Sequence, residues 1–116
     1  MSKNVMYLIL RSDLISLPGW TLGAVFTQIA HAATACIWTF RDDPNVIAYM
    51  MEMDSMHKVT LKVDDEDSLV KISERLKESN IDHKVWVEDN MPVCIAIKPQ
   101  DRSKLKPIIG KLPLYK

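Results

Sequence analysis

Three short stretches hold the side chains able to do chemistry. "LRSDL" supplies Arg11 and Asp13, "TQIAH" supplies Thr27, Gln28 and His31, and "VED" supplies Glu88 and Asp89. A carboxylate or an imidazole can take a proton from water, and the unpaired amides at a helix start can steady an oxyanion. The chemistry in view is therefore water activation. Each residue also has a plain structural reading. His31 suits a core histidine bonded to backbone, and Gln28 suits a bridge from its helix to the first loop. Asp13 suits a loop pin that accepts from backbone amides. Asp89 suits a turn, because Asp-Asn favours hairpins. Trp20 reads as a cover for the helix start, and Trp38 and Trp86 read as core or interface residues.

The elements that must position these groups follow from periodicity. "NVMYLIL" (4–10) is a continuous apolar run, the mark of a strand buried on both faces. Pro18 and Gly19 break the loop after it. From Thr21 to Phe40, Leu22, Val25, Phe26, Ile29, Ala33, Cys36, Ile37 and Phe40 recur at helical spacing, with alanines that permit close packing. "DDPNVIAYMMEM" opens a second helix, with Asp43 as cap and Pro44 at the first position. Its Met50, Met51 and Met53 read as fillers of irregular core gaps. "HKVTLKV" (57–63) alternates as a strand, and "DDEDSL" caps an acidic helix start with Asp64 or Asp65. Leu69, Ile72 and Leu76 form the apolar face of that helix, and Asn80 stops it.

"HKVWVED" (83–89) and "VCIAIKP" (93–99) are strands so close that they must form an antiparallel hairpin around "NMP". Asp101 caps a short last helix that Pro107 bends or interrupts. The order is β-α-α-β-α-β-β-α. It predicts a three-layer α/β/α fold with a four-stranded mixed sheet, in one domain over 1–116. There is no internal repeat and no low-complexity segment.

The totals fit a globular protein. At 116 residues, about 65% of the unfolded surface is buried on folding, enough for one core. The apolar share is 47%, the charged share 26% and the formal net charge zero. Whole-molecule steering toward nucleic acid is thus not expected. The charge is uneven, however: Lys98, Arg102, Lys104, Lys106, Lys111 and Lys116 face only Asp101 near the end. That run suits either a solvated face or phosphate contact. Cys36 and Cys94 sit in apolar runs, which predicts buried reduced thiols, no zinc site and a cytoplasmic location. The first residues read as a strand and not as a signal peptide. No apolar run approaches the ~20 residues that span a bilayer.

The site stretches resemble the type-two peptidyl-tRNA hydrolases of archaea and eukaryotes. In that family a strand ends Arg-x-Asp-Leu, a glycine-lysine turn follows, and a helix reads Ala-Gln-x-x-His-Ala-Ala. "LRSDL" and "TQIAHAATA" are similar. "KVTLKVDDEDSL", "VWVED", "IAIKP" and the closing "LPLYK" resemble the later elements in order. "HAATA", the tryptophan before the strand-end acid, and "CIA" are nearest the divergent peptidyl-tRNA hydrolase domain-containing branch.

The resemblance implies hydrolysis of the ester between a stalled peptide and tRNA. The family is often homodimeric, and the resemblance implies no metal and no other cofactor. It makes Asp89, His31 and Gln28 the catalytic candidates, with Arg11, Asp13, Gly23 and Thr27 in support. It also makes tRNA the partner and turns the basic segment (Lys98, Arg102, Lys104, Lys106) into its phosphate contacts.

Several positions depart from the pattern. The family's lysine before the helix falls on Ala24, and the preceding basic position falls on Leu22. The loop after the strand-end aspartate is cut short, and the threonine opening the last strand falls on Val93. The alternatives therefore stay open: a catalytically impaired relative that binds RNA or protein, or a dimeric interaction module.

Overall fold

A computed structural model describes residues 3–116. The elements are strand β1 (Met6–Arg11), helix α1 (Leu22–Thr39), helix α2 (Pro44–Met51), strand β2 (Lys58–Val63), helix α3 (Glu66–Glu78), strand β3 (His83–Glu88), strand β4 (Met91–Ile97) and helix α4 (Lys106–Ile109). Short 3-10 turns lie at Leu14–Ser16, Met53–Ser55 and Arg102–Lys104. The order matches the expected one, and the sheet is mixed.

The sheet runs β2-β1-β4-β3. β1 is central and every one of its residues is buried, as its unbroken apolar run requires. It pairs in parallel with β2, from Met6 opposite Lys58 to Arg11 opposite Val63. It pairs antiparallel with β4, Ile9 opposite Ile95. Tyr7 and Ile9 face a core built with Leu61, Leu69, Leu76 and Ile109. Met6, Leu8 and Leu10 face the other core, with Val25, Ala32, Cys36 and Tyr49. Alternate residues of one strand thus serve two layers, with α1 and α2 on one face and α3 and α4 on the other. The outer edge of β2 is covered where Leu114 bridges to Leu61. There the Lys62 amide donates to the Pro113 carbonyl and the Tyr115 amide to the Thr60 carbonyl.

Local chemistry sets the element ends. Thr21 accepts from the Ala24 amide, Asp43 from Asn45, Asp65 from Ser68 and Asp101 from Ser103. Asn80 takes a left-handed φ of 57° and stops α3. Lys98 joins two of these regions, reaching Asp43 at 2.8 Å and Asp82 at 3.1 Å. The Ser73 hydroxyl lies 2.8 Å from His83 Nε2, and His83 Nδ1 lies 2.9 Å from the Ile81 carbonyl. Nδ1 therefore carries the proton, and Ser73 donates to Nε2, tying α3 to β3.

The Lys98 tie makes stability depend on pH. Its hydrogen bond lowers the Asp43 carboxyl below the ordinary 3.8. A carboxyl lowered by folding contributes stability that is present above the unfolded value and lost as pH falls through the folded one. Below pH 3.8 the tie should therefore fade, removing about 1 kcal/mol. Urea unfolding of wild type and Lys98→Met at pH 7 and pH 3 checks this. The gap between the two should shrink at the lower pH, and a constant gap would contradict it.

Several expectations are corrected. The β3–β4 turn is Asp89–Asn90, as the plain turn reading of Asp89 had it, and not "NMP". Both residues take positive φ, 51° and 64°, the pattern of a tight type I′ hairpin. Pro92 lies within β4, opposite Val87, beside a register shift at Trp86/Val87 that tolerates its missing N–H. Met51 is 80% exposed and Met53 is 55% exposed, so neither fills the core. The buried side of α2 is Val46 and Tyr49, one turn apart, and only Met50 of the three packs beside it. The buried stripe of α1 is Val25, Gln28, Ala32 and Cys36, while Leu22 and Phe26 are largely exposed. Trp38 is 67% exposed rather than core, with the Arg41 guanidinium 4.4 Å above its ring. Pro107 does not bend a helix: it sits in the first turn of α4, where a missing N–H costs nothing. Cys36 and Cys94 are free and buried, and burial pushes both thiols up to about 12, which keeps them protonated and inert.

Candidate active site

Two turns of α1 and the β3–β4 hairpin enclose a cleft of about 260 Å³. Ala24 and Gln28 form its helical wall, Glu88 and Asp89 the opposite wall, and Pro18, Gly19 and Trp20 its rim. Gly19 has a φ of 83°, a left-handed turn that glycine takes without strain. Trp20 is half-buried against the α1-side core and lines the rim.

Gln28 is the polar member of the buried α1 stripe, only 5% exposed. Its Nε2 donates to the Ala24 carbonyl at 3.0 Å. Its Oε1 accepts from Trp86 Nε1 at 3.0 Å. The same indole N–H lies 3.1 Å from Glu88 Oε1. The other face of this tryptophan's role is His31, whose ring stacks on it at a centroid distance of 4.8 Å. Trp86 is thus a hub that fixes the Gln28 amide, one Glu88 oxygen and the His31 ring together. The hub was missed at the level of sequence. Two signals pointed to it: a half-buried indole N–H needs an acceptor, and a glutamine on an apolar stripe needs a partner.

The sequence candidates divide. Gln28 and Asp89 line the cleft, and His31 lies one turn beyond, exposed and stacked, not core and not bonded to backbone. Thr27 is exposed and donates to the Gly23 carbonyl. Gly23 lies in the first turn, where an added Cβ would meet nothing closer than 3.9 Å, so packing does not demand a glycine. Asp13 does not accept from backbone amides. It grips Arg11 through two parallel bonds of 2.9 Å, which hold the guanidinium pKa above its ordinary value. The remaining Arg11 nitrogen donates to the Pro92 carbonyl at 3.0 Å and to Glu66 at 3.3 Å. Arg11 is buried and is not among the cleft-lining residues. It ties the ends of β1, β4 and α3 together, leaving the cleft walls two carboxylates and no lysine or arginine. Lys98 is engaged by Asp43 and Asp82. Arg102, Lys104 and Lys106 belong to the segment whose Leu105, Ile108 and Ile109 pack on the sheet face opposite α1.

The arrangement can hold water against a carboxylate beside a helix start. Thr21 takes the Ala24 amide, so the amides of Leu22 and Gly23 are the helix-start donors left without an intrahelical acceptor. The cleft therefore joins two carboxylates, a buried amide and a helix start, with no lysine or arginine in its walls. Residues 4–115 match the family model described as "Peptidyl-tRNA hydrolase PTH2". The chain belongs to the PTH2 family. It is 41% identical over 115 residues to the human protein named "Putative peptidyl-tRNA hydrolase PTRHD1", covering 97% of this chain and 82% of that protein. It is 40% identical to the mouse protein of the same name, with the same coverage. No helix among the described residues is long and apolar enough to cross a membrane.

Proposed function

We propose that this PTH2 protein hydrolyses the ester joining a peptide to tRNA, at the cleft between α1 and the β3–β4 hairpin. The observation that carries this reading is the Trp86 hub, which brings Gln28, Glu88 and His31 into one fixed set beside Asp89. In the proposal, Asp89 and Glu88 orient and deprotonate the attacking water. His31 relays that proton to the ribose oxygen of the leaving tRNA as its bond to the peptide carbonyl breaks, and Gln28 sets the width and polarity of the wall. The free amides at the start of α1 receive the developing oxyanion. No cofactor enters the scheme.

The test is release of peptide from an N-blocked aminoacyl-tRNA. Asp89→Asn is the clean variant, because asparagine also tolerates the left-handed turn while losing the charge. Asp89→Asn and His31→Ala should each slow release while tRNA binding persists. Wild-type release that neither change slows would refute the assignment. A second reading, a relative that binds tRNA without turnover, is favoured by the cleft's lack of any cation. It predicts retention of tRNA on filters at low salt with no release above the uncatalysed rate.

A further inference from the structure

On the sheet face away from α1, a cleft of about 270 Å³ opens between β2, the 3-10 turn at Arg102–Lys104, α4 and the C-terminal segment. Its floor is formed by nearly buried side chains: Tyr7 is 9% exposed, Leu61 6% and Ile109 4%. Leu114, 54% exposed, forms a wall where it bridges to Leu61. Two cations complete the lining, Arg102 and Lys106. They stand four residues apart, and both are exposed. The ion pairs among the described residues engage only Arg11 and Lys98, so neither rim cation is matched by an acid. Asp101, beside them in sequence, caps the turn through Oδ1 and forms no ion pair with either.

An apolar slot with two unmatched positive charges at its mouth has a complementary ligand class. We propose that this cleft binds a small amphipathic anion, with a short unbranched hydrocarbon tail on the floor and a carboxylate or phosphate head between Arg102 and Lys106. The volume limits the tail. It lies below the ~300–1,000 Å³ of sites for drug-sized ligands, so it admits one short chain and excludes a two-chain lipid. The head is selected by charge, because hydrogen bonds to charged groups outweigh neutral ones. The site is independent of the PTH2 cleft, since the two lie on opposite faces of the sheet.

The experiment is titration of ¹⁵N-labelled protein with octanoate, octyl phosphate and octanol, read as amide shifts. Saturable shifts at residues 59–61 and 102–114 with either anion, and much weaker binding of octanol, are the expected result. The anion that binds more tightly identifies the head group. The exposed double variant Arg102→Gln/Lys106→Gln should bind the anion about tenfold more weakly or worse. Its amide spectrum outside the cleft should match wild type, which shows that it folds. Leu114→Asp, also at an exposed position, should weaken binding by placing a like charge on the tail's wall. Three outcomes overturn the proposal: no saturable shift, octanol binding as tightly as the anions, or anion affinity unchanged in the double variant.

Discussion

Lysine in place of Ala24 is expected to raise the rate of peptide release by about 10²- to 10³-fold, the usual worth of one oxyanion donor. Position 24 lines the cleft beside Gln28, Glu88 and Asp89, so an ammonium on a flexible stem would enter a space walled by two carboxylates. The backbone there is already committed: the Ala24 amide donates to Thr21 and its carbonyl accepts from Gln28. Neither contact involves the side chain, so the substitution preserves both. Its costs are small. Lysine is a good helix former, and a cation in a first turn loses about 0.3–1 kcal/mol to the helix dipole. The nearby carboxylates offset part of that. Methionine at the same position supplies similar bulk without charge and is the control. Single-turnover rates at saturating enzyme separate chemistry from tighter tRNA binding. Equal rates for Ala24→Lys and Ala24→Met would show that the missing ammonium does not limit the reaction.

Phenylalanine in place of Trp86 should damage stability and activity together. The ring persists, so the stack under His31 survives in outline. The indole N–H is lost, and with it the donor to Gln28 Oε1 and Glu88 Oε1. Glu88 is part-exposed and can turn to water. Gln28 is 5% exposed at the cleft wall and has little room to do so. An acceptor left without a partner there costs about 1–3 kcal/mol, which in a domain of this size lowers the melting temperature by several degrees. A second substitution tests the cause. With Gln28→Met added, no acceptor is stranded, and stability should return most of the way to wild type while activity stays low. A Trp86→Phe protein as stable as wild type would show that the hydrogen bond carries no weight.

The fold was legible where its causes are local. Asp43 and Asp101 cap the elements they were expected to cap, and Asp65, one of the two acids offered, caps α3, because a cap is decided within three residues. The mixed sheet follows from the unbroken apolar run of β1 and the closeness of β3 to β4. The misreadings at Asp13 and at the hairpin have distant causes. Asp13 was assigned to backbone amides, but Arg11, fixed by Pro92 and Glu66 from far along the chain, claims it first. The turn moved to Asp89–Asn90 because the register shift at Trp86/Val87 takes Pro92 into the ladder. Trp86 and Gln28 are 58 residues apart, and no periodicity reports a contact at that distance. For the site, residue types were readable, but which of them meet was not.

The placement of β1 has a consequence for how the protein is made. The strand leaves the ribosome before either of its partners, which are β2, opposite Met6 at Lys58, and β4, opposite Leu8 at Ala96. At translation rates of roughly 5–20 residues per second, "MYLIL" stays unpaired for several seconds. Its most hydrophobic segment is therefore a nascent-chain liability, open to chaperones and to other unpaired strands. Chains cut short before β4 lack half of what buries that segment, so partial products are candidates for aggregation and degradation. Quality control during synthesis therefore bears on this chain as a client.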